Sequence, residues 1–474
     1  MKDSKLAKLL ETFNSLEWRR FRDFVYAPYY NKNTDVMSLF DVLYEIKCFE
    51  GCDKEAIFKK AFQDVPYDRQ RMGSLMNSLL KLAEQFLAVE EFHREPFRAQ
   101  RLSLNELSRR KLERHYQFLL KKTKAEQRKK LLDLDKLKQK TELSEIEMVH
   151  FSNKKVRRFD ESYLQVYSSM NEEYYTRLLK LVCGMLSMQL IVTGNMQLTD
   201  LTKQIIESLS ANPPASPLIR IYLSIYKMLS RGDDDEESYQ HFLGLERFIE
   251  EGRDRIDPEE MRVIYISAIN FCARRMRQGE REKYAKRVIK LYREGIENKF
   301  LFEEDHLPHW TYTNVVKLML MEREYAEAEV FIRRHKEDLS EDTKADAYIF
   351  NKAQLYFDQN EFDKVLDMLA QVNYSENYYN AGSRMLRIKT YFETDLLEPM
   401  LSDLAAFTKY LKRNKTMSDA YKQTMLNFCR MLYQVTRVRK EEKKAAVREK
   451  ISSLQPLAER NWLQNALQKW KAID

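Results

Sequence analysis

The stretch from Asp346 to Tyr374, DAYIFNKAQLYFDQNEFDKVLDMLAQVNY, decides the fold. Its apolar residues recur at helical spacing on either side of a polar turn, which predicts two helices folded into a hairpin. Ala353 is small enough to let the helices approach where they cross. Tyr356, three residues on, and Phe362, just past the turn, fill the wedge between neighbouring hairpins. Val365 and Leu369 then pack the second helix from the inside.

The same frame recurs. Ile388, Tyr391, Leu397, Met400 and Leu404 repeat it 35 residues later, and Tyr312, Val316, Tyr325, Ala328 and Ile332 repeat it 37 residues earlier. A looser set, Ala273, Met276, Ala285, Ile289 and Tyr292, lies further upstream. A hairpin recurring near 34 residues resembles the tetratricopeptide repeat. The resemblance covers Met261 to Lys412 and extends toward Ser216 and Trp470. Val316 and Ile388 stand where that family usually has a small residue, and Pro399 falls inside a second helix; these departures bear on how regular the superhelix is. The alternative is an irregular α-α superhelix.

Composition agrees with long helices. There are 10 glycines and 10 prolines in 474 residues, where average usage of about 7% would give roughly 33 glycines. Turns, bulges and phosphate-cradling loops rely on glycine, so few of them are available. With 44% hydrophobic residues the chain has ample material for a core. The fold class expected is all-α: an N-terminal helical bundle over 1–95, long basic helices over 96–160, and a tetratricopeptide-like hairpin superhelix over 161–474. In the first segment Asp35 is the expected cap of a helix carrying Met37 and Phe40. Further on, Ser162 to Leu190 reads as one helix stopped at Gly194-Asn195, a turn falls at Gly232–Asp235, and Asp257-Pro258 opens another helix.

From Arg109 to Arg158 there are 17 Lys or Arg against 7 Asp or Glu, a local net of +10. The whole chain carries +8, so the remainder sums to −2. The charge is concentrated, with Lys121, Lys122, Lys124, Arg128, Lys129 and Lys130 as its densest cluster and Lys154, Lys155, Arg157 and Arg158 as a second. Interleaved leucines give one or two amphipathic helices with a basic outer face. Such a face suits an acidic protein, nucleic-acid phosphates, or plain solubility.

The start, MKDSKLAKLLETF, lacks a signal peptide's apolar core, and the longest nearly uncharged apolar stretch, Leu181 to Val192, is too short to span a bilayer. Five scattered cysteines fit a reducing compartment, and a cytoplasmic protein is expected. Cys48 and Cys52 lack the second ligand pair a zinc site needs. The segment Glu303-Glu-Asp-His-Leu-Pro-His309 gathers carboxylates and imidazoles but reads as a loop opening a helix. No HExxH helix, phosphate-binding glycine loop or GxSxG elbow occurs, and nothing in the sequence places a serine, a histidine and an acid together. Neither a catalytic site, a metal nor a cofactor is expected.

In tetratricopeptide stacks the first helix of each hairpin lines a concave face. That resemblance implies a groove of Asn270, Arg274 and Arg277, then Thr313 and Lys317, then Phe350, Gln354 and Phe357, then Met385, Lys389 and Phe392. Cationic and amide groups with aromatic steps suit an extended peptide bearing acids. The same charges fit any solvated helix face, and the aromatics fit an inter-hairpin core. The expected function is a non-enzymatic protein-binding scaffold or adaptor for a protein or peptide partner. The other readings are a nucleic-acid-binding regulator using residues 109–158, and an enzyme with a site of unrecognised type.

Overall fold

The glycine-poor chain folds mainly into helices. A computed structural model describes residues 3–63, 65–154, 158–189, 197–230, 235–370, 377–438 and 441–470. Among these residues there are 23 helices and no strand. They gather into two units, Met1–Tyr175 and Thr176–Asp474.

The first unit begins with α1 (Lys5–Leu10), α2 (Ser15–Tyr26), α3 (Thr34–Ile46), α4 (Lys54–Ala61) and α5 (Arg69–Arg94), which share one core running from Leu6 to Phe86. Phe13, Trp18, Phe21, Phe40 and Phe86 interlock there, mostly edge-on or tilted. Helix starts follow capping chemistry: Asn14 and Glu17 form a capping box on α2. The cap of α3 is Asn33 rather than Asp35. Asn33 accepts from the amides of Asp35 and Val36, while Asp35 sits in the first turn and reaches Arg71 at 2.7 Å.

The basic segment forms three helices, not one or two: α6 (Pro96–Arg109), α7 (Glu113–Lys129) and α8 (Leu134–Asn153). The break after α6 uses neither glycine nor proline. Lys111 adopts φ +59°, and the Leu112 amide donates to the Leu107 carbonyl at 3.0 Å. At the second break Asp133 caps α8 through the Lys136 amide. Phe97, Leu104, Tyr116, Leu120, Leu143 and Ile146 form the core of this trio. Helix α9 (Ser162–Gln189) carries the chain onward; Gly194-Asn195, like residues 232–234 of the expected turn and Tyr374, lies outside the described residues.

In the second unit the helices are α10 (Asp200–Ala211), α11 (Pro217–Ser230), α12 (Asp235–Gly252), α13 (Pro258–Arg277), α14 (Arg281–Glu297), α15 (His309–Met321), α16 (Tyr325–Arg334), α17 (Glu341–Asp358), α18 (Phe362–Ala370), α19 (Asn377–Glu393) and α20 (Leu397–Arg413). Sequential pairs from α11–α12 to α19–α20 pack as hairpins. First helices also pack on first helices, α15 on α17 and α17 on α19, as in a helical repeat. Asp257 caps α13 with Pro258 in its first turn. Pro399 is the third residue of α20, where its missing N–H is no loss. The chain ends in α21 (Asp419–Thr436), α22 (Glu441–Ser453) and α23 (Arg460–Lys469).

Four consecutive hairpin turns share one geometry. Gly279, Arg323, Asn360 and Asp395 all have positive φ. The next amide in each case, on Glu280, Glu324, Glu361 and Leu396, donates back to Arg275, Met319, Tyr356 and Tyr391 at 2.9–3.1 Å. This left-handed ending closes a helix by satisfying a carbonyl that has no intrahelical partner. Three residues before those carbonyls stand Cys272, Val316, Ala353 and Ile388; on the second helices stand Tyr284, Ala328, Val365 and Met400. All eight are fully buried. The turns therefore give the register directly. It matches the sequence frame at three hairpins and corrects it by one residue at the first, where Cys272 and Tyr284 replace Ala273 and Ala285. Small Ala273 attracted the frame, but it is only half-buried.

Close approach between first helices is tightest at Gly382 on α19, where an added Cβ would lie 2.8 Å from the Phe350 ring. Alanine normally gains about 1 kcal/mol over glycine inside a helix. Here overpacking costs roughly 1–3 kcal/mol and outweighs that gain. Gly382→Ala is thus expected to lower the melting temperature, whereas Gly244→Ala on α12, with nothing within 4 Å of its Cβ, is expected to raise it. Thermal melts of the two variants beside the parent check the contrast.

Candidate partner-binding surface

The first helices of the hairpins present a mixed face. On α13, Asn270 and Arg277 are exposed. Arg274 instead turns inward: its guanidinium donates to the Met228 carbonyl at 2.6 Å, at the end of α11, and lies over the Phe271 ring. Lys317 on α15 is half-buried and donates to the Tyr378 hydroxyl at 2.8 Å. Gln354 on α17 is half-buried.

Five of the expected groove residues, Thr313, Phe350, Phe357, Lys389 and Phe392, are buried rather than offered to solvent. Phe350 is buried against Tyr379, and Phe357 packs with Ala353, Val365 and Leu369. Lys389 is 8% exposed and its ammonium is 2.6 Å from Glu459, between the rings of Phe357 and Trp462. Two neighbours cover them: α19 closes over Thr313 and Phe350 through Tyr379, and the C-terminal segment folds back onto α19 over Lys389 and Phe392. Trp462 donates to Glu393 at 2.9 Å, Lys469 reaches the same carboxylate at 2.7 Å, and Trp462 packs against the cores of both α17–α18 and α19–α20. Burial opposes ionisation of Glu459, but Lys389 and then Lys317 outweigh it and hold the carboxyl below its ordinary range. Desolvation pushes neighbouring Asp358 the other way, against the pull of Lys389. The structure thus brings Phe357 and Lys389 together at the Glu459 carboxylate.

Behind this face a polar seam joins α15, α17 and α19. Asn351 donates to Thr313 at 3.0 Å, Thr313 lies 3.1 Å from the Tyr379 hydroxyl, and His309 Nδ1 lies 3.0 Å from that hydroxyl. His309 is thereby engaged in packing. Glu303, from the same acid- and histidine-rich stretch, pairs with Arg262. Among the described residues no group of three or more His, Cys, Asp or Glu is placed to hold a metal ion. Sequence reasoning missed Trp310, 52% exposed on the first turn of α15, and exposed Ile266 on α13. The signal was present, since Trp310 follows Pro308 at a helix start, but periodicity alone does not separate an outward aromatic from a core one.

The basic residues of the first unit are mostly at the surface. Lys121, Lys122, Arg128, Lys129 and Lys130 are exposed, and Lys130 reaches Gln139 at 2.7 Å. Lys124 pairs with Glu147 at 2.5 Å and Lys154 with Glu113 at 2.9 Å, while Arg158 lies over the Phe151 ring. Lys155 and Arg157 lie outside the described residues.

One constellation runs against the sequence reading, in which no serine, histidine and acid come together. Ser108 Oγ is 2.7 Å from His150 Nδ1, and His150 Nε2 is 3.1 Å from Glu113 Oε2. The imidazole stacks on Tyr116 at 3.7 Å. Residues 42 and 37 positions apart meet because α6, α7 and α8 pack together. Ser108 is 9% exposed and His150 is buried, so the row ties three helices rather than presenting a hydroxyl. A hydrogen bond from Lys154, then one from Gln117, hold Glu113 down to about 2, below its ordinary 4.5. A depressed carboxyl contributes stability above its unfolded pKa and loses it as pH falls toward its folded one. The parent should therefore lose stability between about pH 4.5 and 2 more steeply than Glu113→Gln, by thermal melts across that window. Parallel curves would show that the pair is screened away.

Comparisons with protein families, curated proteins and solved structures give no match. Of the five cysteines, Cys183, Cys272 and Cys429 are buried. Among the described residues no helix is long and apolar enough to cross a membrane.

Proposed function

We propose that the chain is a non-enzymatic protein-binding scaffold of the cytoplasm, with the hairpins of its second unit forming a tetratricopeptide-like stack that holds an acidic segment of a partner. The recurring turn supports this most, because one turn geometry at four successive hairpins keeps first helices in line along one face. Asn270, Arg277, Trp310 and Lys317 are the residues that would meet the partner, with Gln354 beside them. The Lys389–Glu459 pair is the chemical precedent within the chain: an ammonium between two rings takes a carboxylate.

Affinity purification from native cells after nuclease treatment tests the reading. Asn270→Ala/Arg277→Glu/Trp310→Ala is built from exposed positions and should fold like the parent. The parent is expected to retain at least one protein that this variant loses. Identical protein sets would reject the face as a docking site.

A further inference from the structure

We propose that a groove between α7, α8 and α9 in the first unit docks an acidic amphipathic helix of a partner protein. The proposal is independent of the hairpin stack. The groove measures about 690 Å³; its floor is made by Leu132, Leu137 and Leu143, the last two largely buried, and Leu164 stands on its α9 wall. Exposed Leu164 and half-buried Leu132 are the apolar side chains the groove offers to those of a partner. On the α9 wall Leu164 is 58% exposed. Leu164, Ser168 and Glu172 line the groove at four-residue spacing, so one face of α9 forms its wall.

Charge selects the partner. From Lys121 to Lys130, α7 and the residue after it carry six cations against Glu126 alone. Lys124 and Arg128 of that cluster line the groove, joined by Lys136 and Lys140 from α8. These cations already hold carboxylates there, Lys124 on Glu147 at 2.5 Å and Lys140 on Glu172 at 2.7 Å. A helix with its apolar face on the leucines and an acidic flank toward α7 meets both features.

Nucleic acid fits less well. Glu147, Glu161 and Glu172 also line the groove, and a phosphodiester chain brings continuous negative charge past all three. The floor, moreover, is aliphatic, whereas single-stranded bases are held by stacking on aromatic rings. An amphipathic helix keeps its acids to one flank and avoids the wall carboxylates.

The test uses the full chain and a fluorescein-labelled peptide of about 18 residues, Leu at i, i+3, i+4 and i+7 with Glu and Gln elsewhere, compared by fluorescence anisotropy with its scrambled isomer. Duplex DNA and single-stranded RNA of similar net charge are measured in parallel. The patterned peptide should bind at least about tenfold more tightly than the scrambled one, and Leu164→Asp and Arg128→Glu should each weaken it by roughly tenfold. Both positions are exposed, and unchanged melting of the variants confirms folding. The proposal is overturned by absence of binding, by equal binding of the scrambled peptide, or by tighter binding of either nucleic acid. It is also overturned by a concentration-dependent dimer that Leu164→Asp abolishes, which would make a second copy the occupant.

Discussion

Ala353→Trp should destabilise the second unit by roughly 3 kcal/mol, at the upper end of what overpacking a close helix crossing costs. Ala353 is fully buried where α17 crosses α18, enclosed by Phe357, Val365, Leu369 and Leu386. An indole there must push the helices apart, and α18 also packs on α19, so the displacement spreads to the next hairpin. Ala353→Gly separates the steric effect from helix propensity, since it removes one methyl and costs about 1 kcal/mol. Urea unfolding read by a probe within Thr176–Asp474 measures both variants, because two units need not melt in one transition. A tryptophan variant that unfolds with the parent would mean that this position is not a crossing.

Glu260→Ala is expected to cost about as much, for an electrostatic reason. Glu260 on α13 is almost wholly buried; one oxygen meets Lys180 of α9 at 2.6 Å and the other accepts from the Tyr222 hydroxyl of α11. Burial first, and then the charge of Glu260, push the Tyr222 phenol well up, so it stays a donor. Removing the carboxylate leaves that hydroxyl and the Lys180 ammonium without their acceptor. Breaking a buried pair costs about 3–5 kcal/mol, and the partial exposure of Lys180 places this one near 3 kcal/mol. Glu260→Gln keeps an acceptor for Tyr222 and should lose less. Lys180→Met/Glu260→Leu should recover part of the loss, because apolar replacement of both charges removes the desolvation penalty. A single variant as costly as the double would refute the coupling.

How much of this was readable from residues follows the range of the interactions. Helices declare themselves through apolar spacing a few residues apart, and the hairpins through a frame of some 35 residues, so the all-α class and three hairpin registers were legible. The α6–α7 break was not, because Lys111 takes a left-handed conformation with no glycine or proline to mark it. The first hairpin slipped by one residue because Ala273 imitates a crossing residue that is Cys272. Contacts between distant segments were beyond reach: Glu459 meets Lys389 from 70 residues away, and His150 finds Ser108 and Glu113 through tertiary packing alone. The Glu459 contact removed Lys389 from the expected groove and packing between neighbouring helices removed Phe350 and Phe357, whereas exposed Asn270 and Arg277 remain in it.

Docking on the first helices can be read by hydrogen exchange of the chain with and without a co-purified partner. Exchange is expected to slow in peptides from the exposed faces of α13 and α15, around Asn270–Arg277 and Trp310–Lys317, with little change in the second helices α14 and α16. Unchanged exchange throughout the hairpins in a saturated complex would contradict it.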